Sequence, residues 1–183
     1  MDRDTDRIKF MDMESTRKFQ KSPAINAGIY DEVFCGDIDE TSLEEIFQRF
    51  NSTGHPLHRG HSLSVSDVVV NDNGAFFCDS FGFQKIDFDE SQTQKPDNLM
   101  RVVYVEPHRP AFEAEIRKDL ESMQKAVGGL IEPIGLDDGI CLVGNEESKL
   151  IGMDGNRRIF DGNTIIAGPF FVCGDGDESF RSL

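Results

Sequence analysis

The chain has 183 residues, and its 34 acidic against 19 basic side chains leave a formal charge of −15, which repels nucleic acid and anionic membranes and attracts basic protein surfaces. An apolar fraction of 38 %, with fifteen Phe and no Trp, suits one domain or two small ones with a buried core, and no apolar run approaches the ~20 residues that cross a bilayer. The cysteines at 35, 78, 141 and 173 form no CxxC pair and the chain is charged from its second residue, so the expectation is a cytoplasmic protein with reduced thiols and no cleaved leader.

Residues 1–22 mix acids and bases with few apolar side chains and read as a charged, loosely docked arm. "GIYDEVFCGDI" (28–38) reads as a short strand. "TSLEEIFQRFN" (41–51) reads as a helix capped by Thr41 or Ser42, with Glu44 and Glu45 at the positive end of the dipole. Leu43, Ile46, Phe47 and Phe50 form its apolar stripe. "SLSVSDVVV" (62–70) reads as a strand, "NDNG" (71–74) as a turn, and "AFFCDS" and "FGFQKIDF" as two further strands of a hairpin sheet. The polar stretch "DESQTQKPDN" (89–98), with Pro96, marks a boundary.

The second half opens with the strand "RVVYVEP" (101–107). The spacing of Phe112, Ile116, Leu120, Met123 and Val127 predicts one helix over 111–129, ended by Gly128 or Gly129. "LIEPIG", "GICLVG" and "TIIAGPFFVCG" read as strands, and "DGNRR" as a turn with a basic pair that neutralises nearby acids. The fold class is therefore α+β: two small lobes of antiparallel sheet, each with one or two helices. The first lobe spans 23–90, a linker 91–98 and the second lobe 99–183.

Three of the four histidines, His55, His58 and His61, stand three residues apart. Three imidazoles can ligate zinc, so a small metal-dependent enzyme is one reading. The spacing speaks against it. Pro56 and Gly60 interrupt any helix, steps of three alternate faces on a strand, and no carboxylate sits among the three. A Cys78–His nucleophile pair is a second possibility, yet Cys78 lies among bulky apolar neighbours and reads as a small buried thiol. Arg59 and His58 are expected at the surface, with Gly60 serving a turn. No phosphate-binding loop or dinucleotide fingerprint is present, and no cofactor is expected.

Between Ser22 and Gln48 lie Asp31, Glu32, Asp37, Asp39, Glu40, Glu44 and Glu45, with no Lys or Arg among them. Carboxylates on alternate residues of an extended segment sit ~6–7 Å apart, a spacing like that of phosphates along a nucleic-acid strand. Glu40 and Glu44 would be neighbours on a helix that started early. The second lobe adds Asp137, Asp138, Glu146 and Glu147. These eleven acids are the expected partner-binding residues, and a Lys- and Arg-lined groove is the expected counterpart. An accessory protein that binds some other basic host protein, such as a restriction or transfer factor, would use the same acids.

Two stretches add a resemblance. "LEEIFQRFNSTGHPLHRGHSLSVSDVVVNDNGAFFCDSFGF" resembles the YodL-like domain of clostridial mobile elements. "VGGLIEPIGLDDGICLVGNEESKLIGMDGNRRIFDGNTIIAGPFFVCG" is similar to a companion domain on the same elements, with the family's run at Asn145 to Glu147, Lys149–Leu150, Asn156–Arg157 and Ile165 to Gly168. An acidic chain pairing the two also resembles a family of anti-CRISPR proteins. That resemblance implies a non-enzymatic inhibitor in the bacterial host cytoplasm. Its implied partner is the guide-RNA-loaded nuclease of type II CRISPR systems, with no direct nucleic-acid binding and no membrane.

Overall fold

The structure, a computed structural model, describes residues 5–137, 139–160, 162–176 and 179–183. It divides into two units. The first holds the described part of Met1–Val33 with Ile38–His55 and Arg59–Lys95; the second holds Phe34–Asp37, Pro56–His58 and the described part of Pro96–Leu183.

In the first unit, α1 (Thr5–Ile8), α2 (Met13–Gln20) and α3 (Leu43–Asn51) accompany a three-stranded antiparallel sheet of β1 (Val68–Asn71), β2 (Gly74–Cys78) and β3 (Phe83–Ile86), in that spatial order. Asn71 pairs with Gly74, so Asp72 and Asn73 form a two-residue turn, and Gly74 takes φ of +120° where a side chain would be strained. Phe77 is fully buried with Met13 and Ile25, and Tyr30, Val68, Ile86 and Phe88 pack around them. The start of α3 is a capping box: Glu45 N–H donates to Ser42 Oγ at 3.2 Å, and the Glu45 carboxylate accepts from Ser42 N–H at 3.1 Å. Ile46 is the buried residue of its stripe, whereas Phe47 is 37 % exposed and meets Phe83 edge-on.

Local hydrogen bonding overrides two expectations here. Residues 28–38 form no strand. The Asn26 side chain accepts from Gly28 N–H and closes a tight turn over Ala27–Ile29, leaving Asp31 a single bridge to Gln94. The strand expected from residue 62 begins only at Val68, because Asp67 accepts from Ser64 N–H at 2.7 Å and holds a turn. The described part of the N-terminal arm forms α1 and α2 and buries Ile8, Met13 and Thr16.

The second unit contains β4 (Leu99–Val105), β5 (Phe112–Arg117), α4 (Leu120–Val127), β6 (Ile131–Gly135), β7 (Ile140–Asn145), β8 (Gly155–Ile159), β9 (Thr164–Ala167) and β10 (Phe170–Gly174). Five strands form one antiparallel sheet in the order β5-β4-β10-β7-β6, and β8 pairs with β9. Side chains alternate between its faces. Val102, Tyr104, Cys141, Val143, Phe171 and Cys173 join Met123, Ala126 and Val127 of α4 in the main core. Val105, Leu142 and Phe170 turn the other way and are covered by Ile159 and Ile166 of the β8–β9 hairpin. The Tyr104 hydroxyl donates to Ala126 O at 2.6 Å and ties helix to sheet.

The single helix expected over 111–129 is instead a strand followed by a helix. A step of four is even, so Phe112 and Ile116 share one face of β5 as readily as they would share one of a helix, and Ala114 joins them on the strand. The helix starts after Asp119, whose carboxylate accepts from Ser122 N–H at 2.9 Å. Leu120, placed in the stripe, is 55 % exposed. The "DGNRR" turn lies largely in β8, and the run 164–174 is split into β9 and β10 by Gly168, at φ of +70°, and Pro169.

Candidate functional site

The three histidines of the loop have different surroundings. His55 is buried in the first unit. His58 belongs to the second, where its carbonyl accepts from Lys125 Nζ at 2.6 Å. His61 is exposed, with Nδ1 2.7 Å from Ser62 O and 3.7 Å from Asp67 Oδ2. Among the described residues no three His, Cys, Asp or Glu side chains gather as metal ligands. Burial, with the nearby charges of Asp67 and Asp79, pushes the Cys78 thiol up to about 11. It stays protonated at neutral pH and is a poor nucleophile.

Arg59, expected at the surface, is only 6 % exposed. Its Nη2 lies 3.3 Å from a Glu32 carboxylate oxygen and 3.2 Å from Glu32 O, and its backbone N–H donates to Val33 O. Gly60 serves this close approach, because a Cβ there would stand 2.9 Å from Val33 Cγ1.

The eleven expected contact acids separate by environment. Glu45 is committed to the cap of α3, where the N–H groups of Ser42 and Thr41 hold its carboxyl below the usual range. Glu32 pairs with Arg59 and, at 3.3 Å, with Lys95. Glu40 lies before the helix rather than on it and stands 3.9 Å from Arg49. Asp31, Asp37, Asp39, Glu44, Asp137, Glu146 and Glu147 are exposed. Asp138 lies outside the described residues.

The bases explain why this surface stays negative. Residues 22–95 contain thirteen acids and four bases, Arg49, Arg59, Lys85 and Lys95. All four bases are turned to partners in the first unit: Arg49 to Glu40, Arg59 and Lys95 to Glu32, and Lys85 to Asn73 O at 2.7 Å. Sequence counting showed the imbalance but not that these few bases are already engaged.

In the second unit, Asn145 and Asn156 carry the architecture. Asn145 Nδ2 donates to Val127 O and Gly128 O at the end of α4, while its Oδ1 accepts from Glu147 N–H. This shapes the turn that carries Glu146 and Glu147. Asn156 Nδ2 donates to Val105 O and Gly168 O. Arg157, expected to neutralise acids, donates to Asn156 O and Arg109 O.

Residues 1–88 match the YodL-like domain, and residues 100–183 match a domain of unknown function, DUF3846. The chain carries both domains in that order. No curated protein and no solved structure matches it. The DUF3846 domain therefore holds the turn built on Asn145 and the hairpin anchored by Asn156. The YodL-like domain holds the capped helix α3, the Arg59–Glu32 pair and, of the expected contact acids, the exposed Asp31, Asp37, Asp39 and Glu44. Among the described residues, no helix is long and apolar enough to cross a membrane.

Proposed function

We propose that this protein is a non-enzymatic inhibitor of a type II CRISPR system. Through carboxylate surfaces it binds the guide-RNA-loaded nuclease, whose DNA channel and PAM-reading region are rich in Lys and Arg. The carboxylates take the place of DNA phosphates and block entry of the PAM duplex and target strand, or the movement of the nuclease domain.

The observation that supports this reading most is the engagement of Arg49, Arg59, Lys85 and Lys95 within the first unit. Asp31, Asp39 and Glu44 are exposed, in a stretch, residues 22–95, whose thirteen acids outnumber its four bases. A field of one sign steers encounter with a cationic partner and is screened by salt. The pairing of the YodL-like and DUF3846 domains in an acidic chain adds the anti-CRISPR resemblance to that argument.

An electrophoretic assay of guide-loaded nuclease with target duplex tests the proposal. Added protein is expected to abolish the DNA-bound band or its cleavage. If DNA binding and cleavage both persist at saturating protein, the proposal fails.

A further inference from the structure

Of the four cysteines, two face each other. In the second unit, Cys173 of β10 stands directly opposite Cys141 of β7 in the antiparallel ladder, and both thiols are free. Directly opposed residues on such a ladder have Cα atoms about 4.5 or 5.5 Å apart. Both spacings lie inside the range of about 4.4–6.8 Å that a disulfide spans. Opposed side chains also leave the sheet on the same face, and both cysteines belong to the main core, beside the opposed pair Phe171 and Val143. In the first unit Cys78 is instead opposed by Phe83, and Cys35 lies outside the strands.

Packing makes the two thiols unequal. Cys173 is fully buried on the central strand, and burial, with the Cys141 thiol and Asp175 nearby, pushes it up to about 12. Burial raises Cys141 as well, so both stay protonated and reduced at rest. Cys141 is nearer the rim. Beyond β7 the sheet has only the edge strand β6, and its last residue, Gly135, stands opposite Cys141. Gly135 is exposed, and a Cβ built on it would meet nothing within 4 Å. Strand ends at a sheet edge open locally at far lower cost than central strands. Opening the end of β6 therefore uncovers Cys141 and leaves β10 in place.

We propose that Cys141 and Cys173 are a redox lock in the DUF3846 domain: a low-molecular-weight disulfide oxidises the facing thiols to a bond that fastens β7 to β10. The Cys141 thiol, uncovered at the rim, loses its proton, attacks one sulfur of the small disulfide and expels the other as a thiolate. Cys173 then loses its proton, attacks the Cys141 sulfur and expels the second thiolate. Two protein thiols are oxidised, the small disulfide is reduced to two thiols, and the two protons pass to those products. The bond closes a loop over residues 142–172, which contains the turn built on Asn145 and the β8–β9 hairpin, and so restricts the unfolded chain. Once the edge recloses, the packing that slows oxidation also shields the bond from reductant. The lock is independent of the nuclease reading.

The test incubates the full chain, carrying Cys35→Ser to remove the exposed thiol, with oxidised glutathione under native conditions. Intact mass, a non-reducing peptide map and thermal melting are the readouts. The expected product has lost two hydrogens, yields a cross-linked peptide joining Cys141 to Cys173, and melts about 5 °C or more above the reduced form. Dithiothreitol should reverse that gain. Cys173→Ala in the same background should stop at a glutathione adduct on Cys141. The peptide map needs both buried cysteines and no core substitution, so it decides the matter even where Cys173→Ala fails to fold. Thiols at 141 and 173 that survive prolonged exposure overturn the lock. So does a glutathione adduct on Cys141 that persists while Cys173 is present, or a bridged form that melts no higher than the reduced one.

Discussion

The guanidinium of Arg59 is held 3.3 Å from the carboxylate of Glu32 with 6 % of its side chain exposed. Lys95 reaches the other oxygen of the same carboxylate at 3.3 Å. One acid thus gathers two of the four bases in residues 22–95. Glu32→Ala should therefore cost about 2 kcal/mol of stability, the scale of hydrogen bonds to charged groups. Asp37→Ala, at an exposed position, should stay within about 0.5 kcal/mol of wild type. Urea unfolding of the two variants checks the contrast, and equal losses would mean that Asp37 is structural too.

Charge reversal separates contact from architecture. A variant carrying Asp39→Lys and Glu44→Lys should weaken inhibition of DNA cleavage severalfold, because Coulomb steering scales with the charge removed. Its melting temperature should move by less than about 3 °C. Cleavage assays beside thermal melts read both effects. Full inhibition by the reversed variant would remove these acids from the interface.

Asn145→Ala should be among the most destabilising single changes in the DUF3846 domain. The side chain is 4 % exposed and satisfies the carbonyls of Val127 and Gly128 together with Glu147 N–H. Loss of a buried group with several partners costs about 2–3 kcal/mol. Calorimetric melting should show a drop of about 5 °C or more, and hydrogen exchange should rise at the end of α4 and in the turn holding Glu146 and Glu147.

The helix caps predict the acid limb of stability. Ser122 N–H holds the Asp119 carboxyl below its ordinary 3.8. A carboxyl whose pKa is depressed by folding stabilises the native state above its unfolded pKa, and that stability is lost as pH falls through the folded value. Asp119→Asn keeps an N-cap without a titrating group. It should match wild type near neutrality and lose less stability between pH 4.5 and 2.5, whereas Asp119→Ala should lose about 1 kcal/mol at neutral pH. Urea unfolding across that range checks it. Identical acid limbs for wild type and Asp119→Asn would contradict this account of the cap.

Helix α3 was legible because one short segment carries its cap, its reciprocal Glu45 and its apolar stripe. The hairpin around Asn71–Gly74 was legible from turn residues between β-branched and aromatic runs. Residues 112–117 were misread because Phe112 and Ile116, four apart, obey both periodicities. The deciding partner is β4, whose Tyr104 faces Phe112 across the sheet. Strand β8 was missed because of its five residues only Ile159 is apolar, so its membership depends on pairing with β9. At the candidate surface, the acids could be counted from sequence. The engagement of Glu32 and Glu40 could not, because Arg59 and Arg49 meet them only in the folded chain.

The most direct measurement is a competition titration in which labelled PAM-containing duplex and this protein compete for guide-loaded type II nuclease at two salt concentrations. The account predicts mutually exclusive binding, with the inhibitor's association slowing and its affinity falling as salt rises. A ternary complex that holds inhibitor and duplex together and still cleaves, or the absence of any inhibitor binding at low salt, would contradict it.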